Sequence, residues 1–177
     1  MKYIFFPGNS ARNKEWIDSL ASQFSNSPKE IIHYSHWYNE EESIDFEIEL
    51  DKVEKLNIKD DCIAVSKSAG CYLSYLSQKR NILNIQRYIF IGFPYSWLEM
   101  KGFNPVEVLK KTGENLLIIQ KGKDPAMSFD KLKNIIEENG ISAEMIEYKR
   151  GGEPIDNHSY EDLEYLKETI DSFVNLS

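Results

Sequence analysis

Three residues have the chemical types that nucleophilic catalysis requires, and they occur in the order Ser68, Asp124 and His158. A serine hydroxyl is a weak nucleophile until a base removes its proton, and histidine suits that task near neutral pH. A carboxylate then fixes the imidazole tautomer and stabilises its charged form. If the fold brings the three side chains together, they predict attack of a serine on an acyl carbon.

The residues around Ser68 favour this role. Ser68 is the centre of the pentapeptide SKSAG at 66–70, between the apolar run 62–65 and a helix-length segment. Small residues two positions on either side permit a tight strand-to-helix turn that holds the hydroxyl above a sheet. A serine that merely caps a helix would occupy the same position, because serine is favoured there. The pentapeptide alone therefore leaves both interpretations open.

Asp124 and His158 each follow a different apolar run. Asp124 lies in a turn after residues 116–119, and His158 lies in a loop after residues 143–148. Each has an ordinary explanation as a loop residue, since an Asp-Pro pair is typical of turns. Jointly, their order and their placement after separate strands indicate one site, because the carboxyl ends of parallel strands meet at one edge of a sheet.

The first apolar run, 3–6, leads into the loop Pro-Gly-Asn at 7–9. A tetrahedral intermediate needs two N–H donors for its oxyanion, one from the residue after the nucleophile and one from a nearby loop. The backbone N–H groups of Ala69 and Asn9 are the candidates. A plain proline-glycine turn is the alternative for this loop.

Short apolar runs alternate with helix-length segments along the whole chain, which predicts a parallel sheet with helices on both faces. We expect one domain over 1–177, a three-layer α/β/α sandwich with a mostly parallel sheet of about six strands. A short cap is expected within 92–111. The predicted strands are 3–6, 30–34, 62–65, 88–91, 116–119 and 143–148, and the predicted helices are 14–24, 68–79, 129–139, 160–174 and the later part of 44–56, a segment that also alternates like a strand.

Composition excludes several classes of protein. The 177 residues carry a formal charge of −8, which disfavours sequence-independent binding to nucleic acid. The 41% hydrophobic content supports a folded core. No apolar run approaches the roughly 20 residues of a membrane-spanning helix, and the first residues lack the pattern of a signal peptide. We expect a cytoplasmic protein, and the sequence does not predict its oligomeric state.

Competing motifs are weaker. His33 and His36, with glutamates at 40–42 beyond them, could suggest a metal, but residues three apart on a strand face opposite sides, so no metal site is expected. Lys67 and Ser68 resemble the end of a phosphate-binding loop that lacks its glycines here, which argues against a nucleotide-binding protein. The two cysteines are expected to be small core residues. No cofactor is predicted.

The segments 66–70, 122–125 and 157–160 resemble the three catalytic segments of the α/β-hydrolase superfamily, in particular its small serine hydrolases with little lid. The resemblance runs from the first strand to the last helix and includes the loop 7–9, where the superfamily more often has histidine before the glycine. It implies the minimal α/β-hydrolase fold. Ser66 stands where the superfamily usually has glycine, and Lys67 is a less common neighbour of the nucleophile.

The resemblance and the residues together predict a serine hydrolase that cleaves a small carboxylic ester or related acyl bond through an acyl-enzyme on Ser68. In this interpretation the partner is a small-molecule acyl substrate. The alternative is a catalytically weak or inactive protein of the same fold that binds a ligand or partner. Aromatic residues expected to line the substrate site are Trp37, Phe93, Tyr95 and Trp97, although Phe93 and Trp97 could instead close the core.

Overall fold

All six predicted strands form one parallel sheet. The computed structural model describes residues 1–38, 43–149 and 157–175. Its strands are β1 Lys2–Phe6, β2 Lys29–Ile31, β3 Asp61–Lys67, β4 Asn84–Ile91, β5 Leu116–Lys121 and β6 Ala143–Tyr148. Their order in the sheet is β2-β1-β3-β4-β5-β6, and every neighbouring pair is parallel. The predicted fold class, a single α/β domain with a parallel sheet, is confirmed.

Helices cover both faces of the sheet. They are α1 Asn13–Ser22, α2 Phe46–Lys55, α3 Ala69–Lys79, α4 Tyr95–Met100, α5 Pro105–Thr112, α6 Phe129–Glu138 and α7 Leu163–Asn175. Successive strand residues point to opposite faces, so Ala64 packs in one apolar cluster with residues of α2, α3, α5 and α6. Val65 packs in the other cluster with residues of α1 and α7. Among the described residues, no helix is long and apolar enough to span a membrane.

The ambiguous segment 44–56 is helical from Phe46, as favoured above. The Asp45 side chain accepts hydrogen bonds from the N–H groups of Glu47 and Ile48, which satisfies two donors that lack an acceptor within the helix. This cap explains why the alternating start of the segment does not continue as a strand.

Two elements are shorter than predicted, each by two residues. The strand expected over 30–34 ends at Ile31, because Tyr34 turns away so that its hydroxyl donates to the carbonyl of Pro7. The closing helix expected from residue 160 begins at Leu163, because the Tyr160 side chain is held at the sheet edge by Asp124. In both cases a long-range polar contact takes precedence over local pattern.

Residues within 92–111 form the short helices α4 and α5. Leu98 and Leu109, one on each helix, are fully buried and belong to the main apolar cluster. The Asn104 side chain caps α5 by accepting from Glu107 N–H, and Pro105 occupies the first turn, where a missing N–H costs nothing.

Candidate active site

Ser68 lies in a strained turn between β3 and α3. Its φ of 50° and ψ of −123° are unusual for a residue with a side chain, and such a conformation costs on the order of 1–3 kcal/mol. The Ser68 N–H donates to the carbonyl of Ile91 at 3.1 Å, which fixes the turn against the end of β4. The side chain is partly exposed, whereas the flanking Lys67 and Ala69 are buried.

The small residues around Ser68 are required by close contacts. A Cβ atom on Gly70 would lie 2.3 Å from the carbonyl oxygen of Phe6 and 2.6 Å from that of Pro7. The start of α3 therefore rests on the backbone at the end of β1. Ser66 is fully buried, and its hydroxyl bonds to that of Ser74 at 3.0 Å. The serine at the usual glycine position thus has a satisfied hydroxyl and leaves the turn intact.

Asp124 and His158 form a partly buried pair. The Nδ1 atom of His158 lies 2.9 Å from Oδ1 and 2.8 Å from Oδ2 of Asp124. The Asp124 side chain has no exposed surface, and that of His158 is 26% exposed. Because an ionised carboxylate only accepts hydrogen bonds, the imidazole proton lies on Nδ1 and Nε2 is left with its lone pair.

The imidazole of His158 lies at the same sheet edge as Ser68. A Cβ atom on Gly92 would be 2.7 Å from Cε1 of His158, and Gly92 directly follows Ile91, to which the Ser68 backbone bonds. The φ of Gly92 is +60°, which favours glycine. Nε2 of His158 is buried and has no hydrogen-bond partner within the described residues. The structure thus places Ser68 and His158 at the same end of β4, and Nε2 of His158 makes no hydrogen bond to Ser68.

The loop at 7–9 contacts the start of α3 and is tightly held. Ala69 is the first residue of α3, where an N–H group has no acceptor within the helix. The Asn9 carbonyl accepts from Nε2 of His36 at 2.6 Å and from the Trp37 indole N–H at 2.8 Å. The Asn9 side-chain oxygen accepts from the N–H of Ile44 at 2.7 Å. These contacts fix the orientation of the Asn9 peptide.

The four aromatic residues expected at the substrate site differ in exposure. Phe93 has no exposed surface and Tyr95 has 8%, so both side chains belong to the core. Trp37 and Trp97 are half-buried and pack against the same apolar cluster. The structure therefore leaves only the two tryptophans with surface that a substrate could contact.

A cavity of about 320 Å³ lies beside Asp124. Its lining includes Ser96 from α4, Ser128 at the start of α6, and the lysines Lys123 and Lys131. The Ser96 N–H donates to the carbonyl of Ala126 at 3.1 Å, so α4 is joined to the loop that carries Asp124.

Burial shifts the pKa values of several groups at the site. Burial is the main cause that lowers the pKa of Lys67 to about 8, while nearby Asp124 acts in the opposite direction. The Lys67 ammonium donates to the Asn13 side-chain oxygen at 2.8 Å. Burial also raises the pKa of the Tyr160 phenol well above its ordinary value, with Asp124 adding to the effect. Tyr160 therefore stays protonated and able to donate.

The two histidines weighed as metal ligands have other partners. His33 pairs with Asp18, whereas His36 bonds to the Asn9 carbonyl. In the described ranges no group of three potential metal ligands occurs. The glutamates at 40–42 lie outside the described residues. Burial raises the pKa of the Cys62 thiol to about 11 and that of Cys71 well above its ordinary value, so both are poor thiolates.

Several residues that support the site were not singled out by sequence. Tyr160 donates to Oδ2 of Asp124, and Tyr34 holds the carbonyl of Pro7. The pattern of residues 160–174 indicates only a helix, and Tyr34 is part of a predicted strand. The one local feature that could have pointed to Tyr160 is its place in the sequence, two residues after His158.

No protein-family model matches the sequence, and no curated protein is significantly similar to it. Solved structures, in contrast, share its fold. The ydeN gene product from B. subtilis superposes with a TM-score of 0.65 at 16% identity, covering 98% of this chain and 97% of that one. An alpha-beta serine hydrolase homologue from Coxiella burnetii gives a TM-score of 0.62 at 17% identity, covering 100% of this chain and 85% of that one.

A third similar structure is Est1E from Butyrivibrio proteoclasticus with bound ferulic acid, with a TM-score of 0.63 at 14% identity, covering 98% of this chain and 87% of that chain. At these identities the likeness establishes the fold. The chain has the α/β-hydrolase fold, and the resemblance inferred from its motifs is confirmed at that level.

Proposed function

We propose that the protein is a serine hydrolase that cleaves a small carboxylic ester or related acyl bond through an acyl-enzyme on Ser68. The observation that carries the proposal is the meeting of two independent features at one sheet edge. One is the strained turn that presents Ser68, and the other is the Asp124–His158 pair packed against Gly92. Each feature costs free energy in the folded protein, and a role in hydrolysis explains why both are present.

In the proposed reaction Nε2 of His158 accepts the proton of the Ser68 hydroxyl while Oγ bonds to the acyl carbon. The carbonyl electrons move onto oxygen, where the N–H groups of Ala69 and Asn9 stabilise the negative charge. The imidazolium then protonates the leaving oxygen, and the bond between it and the acyl carbon breaks. Water repeats the sequence on the acyl-enzyme and releases the acid. Asp124 holds the Nδ1 proton throughout.

The unpartnered Nε2 of His158 suits the role of base. A buried nitrogen without a hydrogen bond is costly unless a ligand or substrate group meets it. A hydrogen bond from Ser68 would satisfy this nitrogen, and catalytic hydrogen bonds are often long or absent before substrate arrives and tighten in the complex.

The substrate is proposed to have an acyl or aryl group of modest size. The half-buried indole rings of Trp37 and Trp97 offer apolar surface, and α4 and α5 are short helices of six and eight residues. The ferulic acid bound by Est1E, a protein of the same fold, is an aromatic acid and agrees with this choice. An open site is expected rather than a tunnel.

A fluorophosphonate probe tests the proposal directly, because it phosphonylates an activated serine. We expect labelling of the native protein and no labelling of Ser68→Ala. Hydrolysis of short p-nitrophenyl esters should fall by at least about 10³-fold in the same variant. Ser128→Ala is the matched control, since Ser128 is a partly exposed serine that lines the cavity beside Asp124, and it should keep labelling and turnover.

A second candidate is a protein of the same fold that binds a ligand without turnover. The absence of a hydrogen bond between Ser68 and the buried Nε2 of His158, within the described residues, favours it. It predicts that p-nitrophenyl esters are neither cleaved nor yield an acyl-enzyme, and that the probe does not distinguish native protein from Ser68→Ala. That result would overturn the hydrolase proposal.

A further inference from the structure

Tyr160 is a fully buried tyrosine in contact with both members of the Asp124–His158 pair. Its hydroxyl donates to Oδ2 of Asp124 at 2.7 Å. Its ring packs edge-on to the imidazole of His158, with 6.1 Å between centroids and 87° between planes. A Cβ atom on Gly92 would lie 2.7 Å from the same ring. The tyrosine therefore lies beneath the imidazole and beside the carboxylate.

Three groups together fix the plane of the Asp124 carboxylate. The N–H of Ala126 donates to Oδ1 at 2.8 Å, the Tyr160 hydroxyl donates to Oδ2, and Nδ1 of His158 faces both oxygens. Tyr160 supplies the only side-chain hydroxyl in this set. Without it, Oδ2 would retain only the imidazole among the described residues, and the carboxylate could rotate about its bond to Cβ.

The tyrosine is itself held at both ends. Its hydroxyl oxygen accepts from the backbone N–H of Lys121 at 3.1 Å, so a chain of hydrogen bonds runs from β5 through the phenol to Asp124. Its backbone carbonyl accepts from the indole N–H of Trp16 at 2.6 Å. Consecutive hydrogen bonds of this kind strengthen one another in a buried site. The phenol is therefore a fixed donor.

We propose that Tyr160 is a positioning residue of the hydrolase: its hydroxyl sets the orientation and the proton affinity of the Asp124 carboxylate and, through it, of the His158 imidazole. The inference rests on the function proposed above. A donor to an ionised carboxylate disperses its charge. Removing that donor leaves a carboxylate that attracts the imidazolium proton more strongly, and it leaves the imidazole less well aimed.

The test is Tyr160→Phe, which removes the hydroxyl and keeps the ring. For a p-nitrophenyl ester we expect kcat/KM on the plateau to fall by about 10- to 100-fold, the range for loss of a hydrogen bond to a charged group. We also expect the acid limb of the pH profile of kcat/KM to move to higher pH, because the Asp124–His158 pair as a whole binds its proton more tightly.

Tyr148→Phe is the matched control. Tyr148 is also buried, packs edge-on to Tyr160 with 5.1 Å between centroids, and uses its hydroxyl to accept from the N–H of Asp162. Tyr148→Phe removes one tyrosine hydrogen bond that does not involve Asp124 or His158. We expect a comparable fall in Tm for both variants and a shifted acid limb only for Tyr160→Phe.

A second experiment changes the acidity of the tyrosine hydroxyl without replacing Tyr160. Growth with 3-fluorotyrosine makes all 10 tyrosines stronger donors. In native protein the acid limb should move to lower pH, and in a Tyr160→Phe background the same substitution should leave it in place. If Tyr160→Phe does not fold, 3-fluorotyrosine incorporated at position 160 alone provides the test, and the acid limb should again move to lower pH.

The outcomes separate this inference from the proposed function. An active native protein whose acid limb stays unchanged in both Tyr160→Phe and the fluorotyrosine protein overturns the role of Tyr160 and leaves the hydrolase proposal standing. Native protein without Ser68-dependent turnover overturns the hydrolase proposal, and the role of Tyr160 falls with it.

Discussion

Lys67 illustrates how a single residue at the site affects stability. Its side chain is 6% exposed, bonds to Asn13 and lies over the ring of Trp16 at 5.4 Å from the centroid. Asn13 in turn donates to the carbonyl of Ser10. The lysine next to Ser68 thus holds the loop that follows β1, although its ammonium group is buried there.

This burial predicts a pH dependence of stability. The pKa of Lys67 is about 8 in the folded state against 10.5 ordinarily, with burial as the first cause. Between these values the unfolded chain binds more protons, so stability rises with pH in that window and the penalty is complete below pH 8. Relative to Lys67→Met, the unfolding free energy of native protein should rise by about 3 kcal/mol across the window.

Urea unfolding of native protein and Lys67→Met at several pH values between 7 and 11 measures the difference between their unfolding free energies. The titration of other groups at alkaline pH affects both proteins equally and cancels in this difference. Parallel curves for native protein and Lys67→Met would show that Lys67 keeps its ordinary affinity for protons. The comparison uses the slope with pH, since the hydrogen bond to Asn13 changes only the offset.

At the scale of elements, the segment after β2 supports the loop at 7–9. Tyr34, His36 and Trp37 all donate to carbonyl groups of that loop. Ser35 is held in turn by the buried carboxylate of Glu49 from α2 at 2.6 Å. The loop that is proposed to bind the oxyanion is therefore held in place by the turn after β2, and that turn is held in place by α2.

Tyr34→Phe tests this support. It removes the donor to the Pro7 carbonyl, so the unfolding free energy should fall by about 1–3 kcal/mol, the cost of an unsatisfied buried group. Loss of a whole oxyanion donor costs roughly 10²–10³ in rate, and a displaced donor should cost about 10-fold in kcat. Steady-state kinetics and urea unfolding measure the two effects.

Tyr88→Phe provides the comparison for Tyr34→Phe. Tyr88 is 5% exposed, lies in the middle of β4 in register with Ala64 and Leu116, and makes no hydrogen bond or ring contact with the loop at 7–9 among the described residues. Its substitution should leave kcat unchanged. If Tyr34→Phe loses stability and keeps native kcat, the turn supports the fold alone.

The sequence predicted the elements better than the contacts between them. The alternation of apolar runs and the order Ser68, Asp124, His158 gave the sheet and the strand ends at which the candidate residues lie, because both depend on local pattern and parallel topology. The bonds from Tyr34 to Pro7 and from Tyr160 to Asp124 join residues 27 and 36 positions apart. No periodicity encodes such pairs, and they account for the shortened β2 and α7.

At the scale of the whole molecule, the charge of −8 should affect which substrates reach the site. Lys67 is buried and bonded to Asn13, so it does not offset this charge at the surface. Lys123 and Lys131, beside the cavity next to Asp124, are exposed. Long-range repulsion and local attraction therefore act on an anionic substrate in opposite directions.

We expect the long-range repulsion to dominate at low salt, where charges act over about 30 Å. The ratio of kcat/KM for a carboxylate-bearing ester to that for a neutral ester of equal size should rise by about two-fold or more between 0.01 and 0.15 M salt. Paired steady-state assays measure this ratio. A ratio that falls with salt, and does so less in Lys123→Gln, would show that the lysines at the cavity prevail.

The contact between Trp16 and the carbonyl of Tyr160 spans 144 positions of the chain. It ties the loop of His158 to the first helix, so that loop can reach its place only after residue 160 has left the ribosome. The turn at Ser68 can form much earlier, once the first four strands are available. During synthesis the nascent chain therefore carries its proposed nucleophile without a base, and hydrolysis would begin only once the segment that carries His158 has emerged and packed against α1.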